Sequence, residues 1–363
     1  MLNFNQLPFH NVENIDDSFS DDNDQSVVNP IPSIDDLSNK KCSLLNFDDD
    51  RYINGCEIDP LFENVYLEVE NKCRYYFEDT LSIDVNNFSI FCHNINSIPK
   101  HFDELVTMLI NNQKLNFDVL TFCETKLTND IMQLYNIDDY LMFNNNTSRQ
   151  SGGLLLYIKD KYCNAFQRND LMVNCNSTES LFIEIPNEKN NIVVGTIYRR
   201  PGSNIEEFFS KLNHIMDILK SERKIVYITG DFNLNLFNID TDENVVNLVS
   251  LFTSSNFVCT ISNPTRVTSS TSNLLDHIWT NNGCNLADCG ILHNSISDHF
   301  PIFSVFNNNE QQEIFDKKTL QYNDVNDTNL INLKNDLFDV CWDLVFNTNN
   351  VRVAYSNFIL IFK

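Results

Sequence analysis

Short apolar runs rich in β-branched and aromatic residues recur between residues 88 and 306, and they limit the fold more than any other feature of the sequence. Runs of this length and composition predict β-strands, because such side chains pack well on a pleated surface. Their number predicts one large, sheet-rich domain. The predicted strands cover residues 88–92, 118–123, 153–158, 181–185, 191–198, 224–229, 274–279 and 300–306.

Three segments with helical character lie between these strands. Residues 101–112 place apolar side chains at positions 102, 105, 106, 109 and 110, which form one face of a helix. A second helix is predicted to begin at Ser203, with Glu206 completing a capping box, and a third covers residues 245–255. Such helices need a sheet face to bury against. We therefore predict an α/β fold, a two-sheet α/β sandwich flanked by helices.

Six polar segments lie along the same region, most of them at the carboxyl end of a predicted strand. Side chains at such strand ends are expected to point into one crevice. One of these segments alone would carry little information, whereas six in this order indicate a specific function. They are His93-Asn94-Ile95-Asn96, Cys123-Glu124-Thr125, Tyr198-Arg199-Arg200-Pro201, Gly230-Asp231-Phe232-Asn233, Leu275-Asp276-His277 and Ser297-Asp298-His299.

The residue types in these segments suit phosphodiester hydrolysis, which needs charge neutralisation at the phosphoryl oxygens, a deprotonated water and help for the leaving oxygen. Glu124 ends the apolar run 119–123, where its carboxylate is a natural ligand for a hard metal ion. Asp231 and Asn233 follow strand 224–229 with one residue between them, so their side chains share a face of the extended chain. The carboxylate can then accept a proton from water while the amide holds the phosphate or the metal.

The sequence contains two Asp-His pairs, which we interpret differently. His277 follows Asp276 on one predicted strand, so it faces the opposite side and is expected to be structural. His299 follows Asp298 after a polar loop and precedes a buried strand. That location suits an imidazole at the floor of the crevice, with a carboxylate fixing its tautomer.

Charge is distributed unevenly along the 363 residues, which carry a net −25. Residues 1–87 contain 5 basic and 19 acidic side chains, residues 88–305 contain 15 and 23, and residues 306–363 contain 5 and 8. A strongly basic chain would have indicated nucleic acid directly. A nucleic-acid enzyme with this charge balance must rely on bound metal ions and a local basic strip.

The charge distribution and the strand pattern together divide the chain into three predicted parts. Residues 1–87 form an acidic, partly disordered N-terminal segment, in which 41–87 are a loosely ordered lead-in. Residues 88–306 form the catalytic domain. Residues 307–363 are polar and linker-like, and their apolar ending suggests a truncated chain.

Cysteine usage and the absence of targeting signals indicate the cellular setting. The eleven cysteines are irregularly spaced, which argues against a zinc ribbon or a thioredoxin-type site and favours reduced thiols in an intracellular protein. We find no secretory leader and no run of 18 apolar residues. We expect a nuclear or cytoplasmic protein that is not secreted, does not bind a membrane and uses no small-molecule cofactor, with its oligomeric state left open.

The six segments, in their order and approximate spacing, resemble those of the endonuclease/exonuclease/phosphatase superfamily, the group that contains DNase I and the abasic-site endonucleases. More narrowly, residues 88–305 resemble the endonuclease domain of non-LTR (LINE-type) retrotransposon polyproteins. The resemblance implies a DNase I-like fold and DNA as the partner. The reverse transcriptase that normally follows in such polyproteins is not recognisable here, so the chain is expected to end before it.

The resemblance also implies a role for each matched residue. Asp231 would activate water, Asp276 would orient His299, and His299 would bind the phosphate together with Asn233. Tyr198 would contact the scissile phosphate. The complete catalytic set implied in this way is Asn94, Tyr198, Asp231, Asn233, Asp276 and His299.

The remaining matched positions concern the metal and the substrate. Glu124 corresponds to the principal Mg²⁺ ligand and Asp298 to an acid near the metal, with Mn²⁺ as a possible replacement for Mg²⁺. Asn96, Thr265 and Arg199 are assigned to substrate binding.

The sequence leaves three functions open. The leading one is a metal-dependent endonuclease that nicks DNA. The second is a phosphomonoesterase of the same fold, although the short spacing between Asp231 and Asp276 leaves little room for the extra loops that such enzymes use. The third is a catalytically idle retroelement fragment.

Overall fold

The structure is a computed structural model that describes residues 37, 40–42, 60–109, 115–146, 152–308, 334 and 342–347. The chain divides into two units, residues 1–312 and residues 313–363. The described part of the first unit contains four α-helices, which are α1 (Pro60–Lys72), α2 (Ile98–Leu109), α3 (Ile205–Ser221) and α4 (Glu243–Thr253). The second unit contains the short helix α5 (Asp343–Phe346).

The first unit is dominated by strands. In chain order they are β1 (Arg74–Tyr76), β2 (Phe88–Asn94), β3 (Val119–Cys123), β4 (Tyr140–Asn145), β5 (Leu154–Lys159), β6 (Phe166–Gln167), β7 (Val173–Asn174), β8 (Thr178–Ile185), β9 (Ile192–Arg199), β10 (Ile225–Asp231), β11 (Val258–Cys259), β12 (Arg266–Val267), β13 (Ser272–Asn273), β14 (Asp276–Thr280), β15 (Leu286–Leu292) and β16 (Ile302–Phe306).

These strands form two large sheets and one small hairpin. The first sheet has the order β1-β15-β16-β2-β3-β5-β4, and the second has the order β11-β14-β10-β9-β8-β6, with β7 also paired to β8. Most neighbours are antiparallel, but β2 and β3 run parallel, and so do β9 and β10. The pair β12–β13 stands apart from both sheets.

The two large sheets pack face to face, and their contact layer is partly polar. The Thr121 hydroxyl of β3 lies 2.9 Å from the Thr229 hydroxyl of β10. Apolar rings fill the layer elsewhere, since Tyr227 lies 5.4 Å from Phe88 and 4.5 Å from Phe306 between ring centroids. Because each buried hydroxyl has a partner, the layer loses little hydrogen-bonding energy.

Helices cover the outer faces of both sheets. Leu105 and Met108 of α2 join the apolar cluster that contains Phe91 and Phe122 of the first sheet. On the second sheet, the Phe232 ring contacts α3 and α4 at 6.4 and 6.1 Å, and the contacted side chains are Phe208 and Phe252. The predicted two-sheet α/β sandwich flanked by helices is therefore confirmed.

The details of some elements differ from the prediction. Helix α3 is capped by Asn204, whose side chain accepts hydrogen bonds from the backbone N–H groups of Glu206 and Glu207, and not by Ser203. The Ser203 hydroxyl instead donates to the Arg200 carbonyl. Strands β4 and β15 and the short strands β1, β6, β7, β11, β12 and β13 were not anticipated from the sequence.

The ordered fold begins before residue 88. Strand β1 pairs in parallel with β15, and the Tyr75 hydroxyl donates to the Pro264 carbonyl at 2.7 Å. Tyr66 and Val69 of α1 are buried as well. The loose order predicted for residues 41–87 is thus wrong for residues 60–87. The many acidic residues there obscured a short apolar face in the sequence. We propose that the domain begins no later than residue 60; its predicted end near 306, and the prediction for 307–363, stay predictions.

Two other sequence predictions meet limits in the structure. Most of the N-terminal segment for which disorder was predicted lies outside the described residues. Among the described residues, the structure contains no helix that is long and apolar enough to cross a membrane.

We expect deletion of residues 1–80 to destabilise the protein, because it removes the buried side chains of Tyr66, Val69, Cys73 and Tyr75. Each fully buried large side chain contributes about 1.5–3 kcal/mol, so a loss of at least about 3 kcal/mol in the free energy of unfolding is expected. Urea denaturation measures this loss. Deletion of residues 1–36, which leaves every described contact in place, is the control, and equal stability of both deletions would support a domain start at 88.

Candidate active site

Strand register brings five of the polar segments to one edge of the sandwich. In the first sheet, Asn94 at the end of β2 is the partner of Cys123 at the end of β3, which places Glu124 just beyond. In the second sheet, Asp231 at the end of β10 lies opposite both Tyr198 and Asp276. The carboxyl ends of the parallel pairs therefore meet the start of β14.

Asn94 connects the two sheets at this edge. Its Nδ2 donates to Glu124 Oε1 at 2.9 Å and to Asp231 Oδ2 at 2.8 Å. Its Oδ1 accepts the backbone N–H of Asn96 at 3.2 Å. One buried neutral amide thus fixes a carboxylate from each sheet, which places the predicted metal ligand next to the predicted base.

A tight turn after β10 orients Asp231 and Asn233. Asp231 Oδ1 accepts the backbone N–H of Asn233 at 2.9 Å, and Oδ2 accepts the Asn233 side-chain amide at 3.1 Å. Gly230 has a φ of +135°, and a Cβ there would overlap the backbone of Ile197. Only glycine therefore allows β10 to end in this conformation.

Asp276 and His299 form a buried pair. The Nδ1 atom of His299 lies 2.8 Å from Asp276 Oδ2, and the same oxygen accepts the Thr265 hydroxyl at 2.6 Å. The pair fixes the ring so that Nε2 is the nitrogen left for a substrate. This arrangement orients an imidazole through a carboxylate, as sequence reasoning predicted.

The surroundings shift the pKa values of these groups in opposite directions. Burial, followed by the neighbouring charge of Asp276, raises the pKa of Asp231 to about 7. Burial lowers the pKa of His299, but the Asp276 carboxylate outweighs it and raises the pKa to about 9. Burial also opposes ionisation of Asp276, yet His299 holds the pKa of Asp276 below its usual value. The pair is therefore an imidazolium–carboxylate pair near neutral pH.

Tyr198 stays protonated in this environment. Burial, then the charges of Glu124 and Asp231, raise the pKa of its hydroxyl, which also hydrogen-bonds to Glu124. A protonated phenol beside two carboxylates can donate a hydrogen bond to a phosphoryl oxygen.

His93 holds the Ser297–His299 turn from below, which sequence reasoning did not anticipate. Its Nε2 lies 3.0 Å from Ser297 Oγ and 2.9 Å from the His299 carbonyl. The Ser297 hydroxyl also donates to the Asn94 carbonyl at 2.7 Å. The signal was present in the sequence, because His93 directly precedes Asn94 in the first polar segment.

Three buried groups lie close enough to share one ion. The ligand atoms of Asp231, Asp276 and His299 all lie within 4.8 Å of one another, and the described residues offer no other such group of three. The predicted metal ligands are not in this group. Glu124 lies next to it through Asn94, whereas Asp298 is half-exposed.

Asp298 is held by a salt bridge at the rim of the site. Its Oδ2 lies 2.6 Å from a guanidinium nitrogen of Arg266. The side chains of Asp298 and Arg266 are 49% and 40% exposed. In this arrangement a metal ion at Asp298 would have to compete with the guanidinium for the carboxylate.

Glu124 and Asp231 together offer oxygen ligands that a hard divalent cation could use. Mg²⁺ and Mn²⁺ prefer oxygen ligands, and these two carboxylates meet at one amide. Asp276 Oδ1 is buried without a hydrogen-bond partner, which shows a local excess of acceptors. A cation at this place would offset buried negative charge that the protein leaves uncompensated.

Asn96 lies at the rim, where a substrate contact is possible. It is exposed, and its Oδ1 accepts a hydrogen bond from Lys126 Nζ at 2.6 Å. Asn96 therefore presents a polar group beside a cation that can face a phosphate backbone.

Arg199 and Thr265 do not fit the substrate-binding role that the resemblance implied. The Arg199 guanidinium is buried and donates to the carbonyls of Phe232 at 2.8 Å and Asn233 at 2.9 Å. Thr265 is fully buried, and besides binding Asp276 its hydroxyl accepts the backbone N–H of Leu275 at 3.1 Å. The hydrogen-bonding groups of both side chains bind other parts of the protein, so both residues hold the site in place.

His277 lies on the face away from the crevice. Its Nε2 lies 3.2 Å from the Leu274 carbonyl, and its ring stacks on Phe232 at a centroid distance of 4.9 Å. Burial lowers its pKa to about 4. It is a neutral core side chain, as the alternation along the strand predicts.

Comparison with known proteins matches this architecture. Residues 192–303 match the model of a family described as endonuclease-reverse transcriptase. The AP endonuclease LMAP from Leishmania major superposes with a TM-score of 0.53 at 12% sequence identity, over 70% of this chain and 100% of that chain. No curated protein matches by sequence.

Two further solved structures are similar at lower scores. The endonuclease domain of TRAS1, a telomere-specific non-LTR retrotransposon, gives a TM-score of 0.49 at 12% identity, over 61% of this chain and 98% of that chain. An AP endonuclease from Archaeoglobus fulgidus gives 0.45 at 16% identity, over 60% and 99%.

The fold is therefore DNase I-like, and the chain resembles the endonuclease/exonuclease/phosphatase superfamily. Within that superfamily, the segment from β9 into β16 carries the sequence pattern of the endonuclease-reverse transcriptase family. The resemblance inferred from the polar segments is confirmed.

The buried pair predicts an unusual titration for His299. Since Asp276 raises the pKa of His299 to about 9, its ring should remain protonated from pH 6 through pH 8 in metal-free protein. In Asp276→Asn the largest interaction that opposes desolvation is lost and only the smaller ones with Asp231 and Asp298 remain, so the pKa of His299 should fall. NMR titration of the ring measures both values, and an unchanged value in the variant would refute the pairing.

Proposed function

We propose that this protein is a metal-dependent phosphodiesterase that nicks DNA. The observation that carries the proposal is the arrangement of the buried Asp276–His299 pair beside Asp231, with Asn94 joining Asp231 to Glu124. This arrangement offers a cationic donor for phosphate, a base for water and carboxylate oxygens for a cation at one crevice.

In the proposed reaction, Asp231 accepts a proton from the attacking water. Hydrogen bonds from Asn94 and Asn233 fix its carboxylate, and its raised pKa of about 7 suits a group that must take up a proton near neutrality. The water would then attack phosphorus in line with the leaving 3′ oxygen.

Charge that develops on the phosphoryl oxygens is stabilised by donors already in place. The imidazolium of His299 can donate through Nε2. The Tyr198 hydroxyl can donate from β9, where Tyr198 is the strand partner of Asp231 in the same sheet. Because Asp276 already positions the imidazolium, this donor needs little reorganisation during the reaction, whereas the Tyr198 hydroxyl must first release Glu124. Thr265, His93 and Arg199 support the groups that react.

A bound Mg²⁺ or Mn²⁺ ion would act as a Lewis acid toward a phosphoryl oxygen and the leaving oxygen. Glu124 is the residue best placed to hold it, with Asp231 nearby. Asp298 could serve only after releasing Arg266.

DNA is favoured as the substrate by the family match, whose description is endonuclease-reverse transcriptase. The rim also supplies a local basic element, since Lys126 lies beside Asn96. Phosphomonoester hydrolysis by the same groups is the competing activity.

The nine cysteines of the described residues are free, which supports a reducing compartment such as the nucleus or cytoplasm.

We expect the full chain to convert supercoiled plasmid to the nicked circle only with a divalent metal ion. The carboxylate-rich site needs a cation both to lower its own repulsion and to neutralise the phosphate. The assay compares Mg²⁺, Mn²⁺ and EDTA, with a phosphomonoester substrate measured in parallel. Full nicking in EDTA would contradict the metal requirement, and release of phosphate from the monoester alone would identify the competing activity.

The two histidines provide a matched comparison. His299→Ala should lower the nicking rate about 10²–10⁴-fold, the range of a lost catalytic acid–base or charge-stabilising group. His277→Ala should instead lower stability, because it removes a core ring, and should leave the rate of the folded fraction near that of the wild type. Adding Asp276→Asn to His299→Ala should cost little more, since residues of one unit are not additive.

Nicking rates are normalised to the folded fraction from circular dichroism in each variant. If His277→Ala abolishes nicking while remaining folded, or if Asp276→Asn and His299→Ala multiply independently, the proposed roles are wrong.

A further inference from the structure

The loop that carries Glu124 is held by backbone contacts to a pair of glycines. The N–H of Thr125 donates to the Gly153 carbonyl at 3.2 Å, and the N–H of Lys126 donates to the Gly152 carbonyl at 3.0 Å. Glu124 and Lys126 both have φ values of +53°, a conformation that non-glycine residues adopt only when surrounding contacts impose it. The glycine turn supplies two of the backbone contacts that hold this conformation.

A buried carboxylate binds this glycine turn. Oε2 of Glu179 accepts the Gly153 N–H at 2.7 Å, and Oε1 forms an ion pair with Arg200. The Glu179 side chain is completely buried and that of Arg200 is 15% exposed. Buried charges of this kind are retained only when their hydrogen bonds are satisfied.

The contact leaves no room for side chains on the turn. A Cβ on Gly152 would overlap the Glu179 carboxylate, and a Cβ on Gly153 would come within 2.6 Å of the Thr125 hydroxyl oxygen. Both glycines have φ near +90°. The carboxylate, the glycines and the Glu124 loop therefore form one closely packed unit.

Arg199 and the neighbouring Arg200 hold two different loops of the site. Arg199 binds the carbonyls of Phe232 and Asn233 and so holds the turn that carries Asp231. Arg200 acts on the other side of β9, through Glu179. Arg199 ends β9 and Arg200 directly follows it; because side chains alternate along an extended chain, the two arginines reach different loops.

We propose that Glu179, together with Arg200, is a positioning residue that sets the Glu124 carboxylate for its cation. This inference rests on the proposed function only for the identity of the ion as Mg²⁺ or Mn²⁺. Neither residue touches the substrate in this assignment. Their effect passes through the Gly152–Gly153 turn to the backbone of Thr125 and then to Glu124.

The test uses two variants of the full chain and one control. Glu179→Gln keeps an acceptor for Gly153 but removes the ion pair. The double variant Glu179→Gln/Arg200→Met removes both charges, so that no single buried charge is left without a partner. The control Glu184→Gln makes the same change on the same strand β8. The Glu184 carboxylate is buried outside the site and accepts a hydrogen bond from Arg168 at 2.8 Å.

Three quantities are measured for each protein. Calorimetric titration with Mn²⁺ gives metal affinity without turnover, plasmid nicking against Mg²⁺ concentration separates the half-saturating metal concentration from the maximal rate, and thermal unfolding without metal gives stability. Partners that orient a metal ligand typically change affinity about 10–100-fold. Both Glu179 variants should weaken Mn²⁺ binding and raise the half-saturating Mg²⁺ concentration by about that factor, whereas Glu184→Gln should change stability alone.

Several outcomes would overturn the proposal. They are wild-type metal affinity in both Glu179 variants, equal loss of metal affinity in Glu184→Gln, failure of both Glu179 variants to fold, and absence of Mn²⁺ binding in the wild type. If the wild-type protein binds Mn²⁺ but does not nick DNA, the proposed function fails while the calorimetric comparison still decides the role of Glu179.

Discussion

The structure depends on placing several carboxylates side by side at the buried end of a sandwich. Asp231 and Asp276 are almost completely buried, and taking a charge out of water costs several kcal/mol unless it is paired or hydrogen-bonded. The fold compensates them unequally. Asp276 is hydrogen-bonded directly to His299, whereas the hydrogen bonds of Asp231 come from the neutral groups of Asn94 and Asn233 and His299 acts on it only through space. That inequality separates their pKa values and gives the two acids different chemistry.

Strand register accounts for the meeting of these groups, and turns account for their orientation. Placing Asp231 opposite Tyr198 and Asp276 follows from the pairing of β10 with β9 and β14. Orientation comes from positions such as Gly230, where backbone conformation excludes a side chain. The sheets therefore determine which residues are neighbours, and the glycines and buried arginines determine the angles at which they meet.

Much of this site could be predicted from the sequence, because polar residues directly after apolar strands have few places to go. Asn94, Glu124 and Asp231 are all of this kind, whereas His299 was found from the polar loop that precedes the buried strand β16. Arg199, which the resemblance assigned to substrate binding, is instead buried against the carbonyls of Phe232 and Asn233, a contact between distant parts of the chain that no local pattern shows. Residues 60–76 were missed because the acidic surface of α1 obscured its apolar face, and because the three residues of β1 give no periodic signal by themselves.

The electrostatics also link the cation to the proton on Asp231. With a pKa raised to about 7 by burial and by Asp276, Asp231 is partly protonated at neutral pH when no cation is near. A divalent ion beside Glu124 would stabilise the carboxylate form, so binding the ion releases a proton. In the proposed function, an ion held there would therefore also leave Asp231 as the carboxylate that accepts the proton from water.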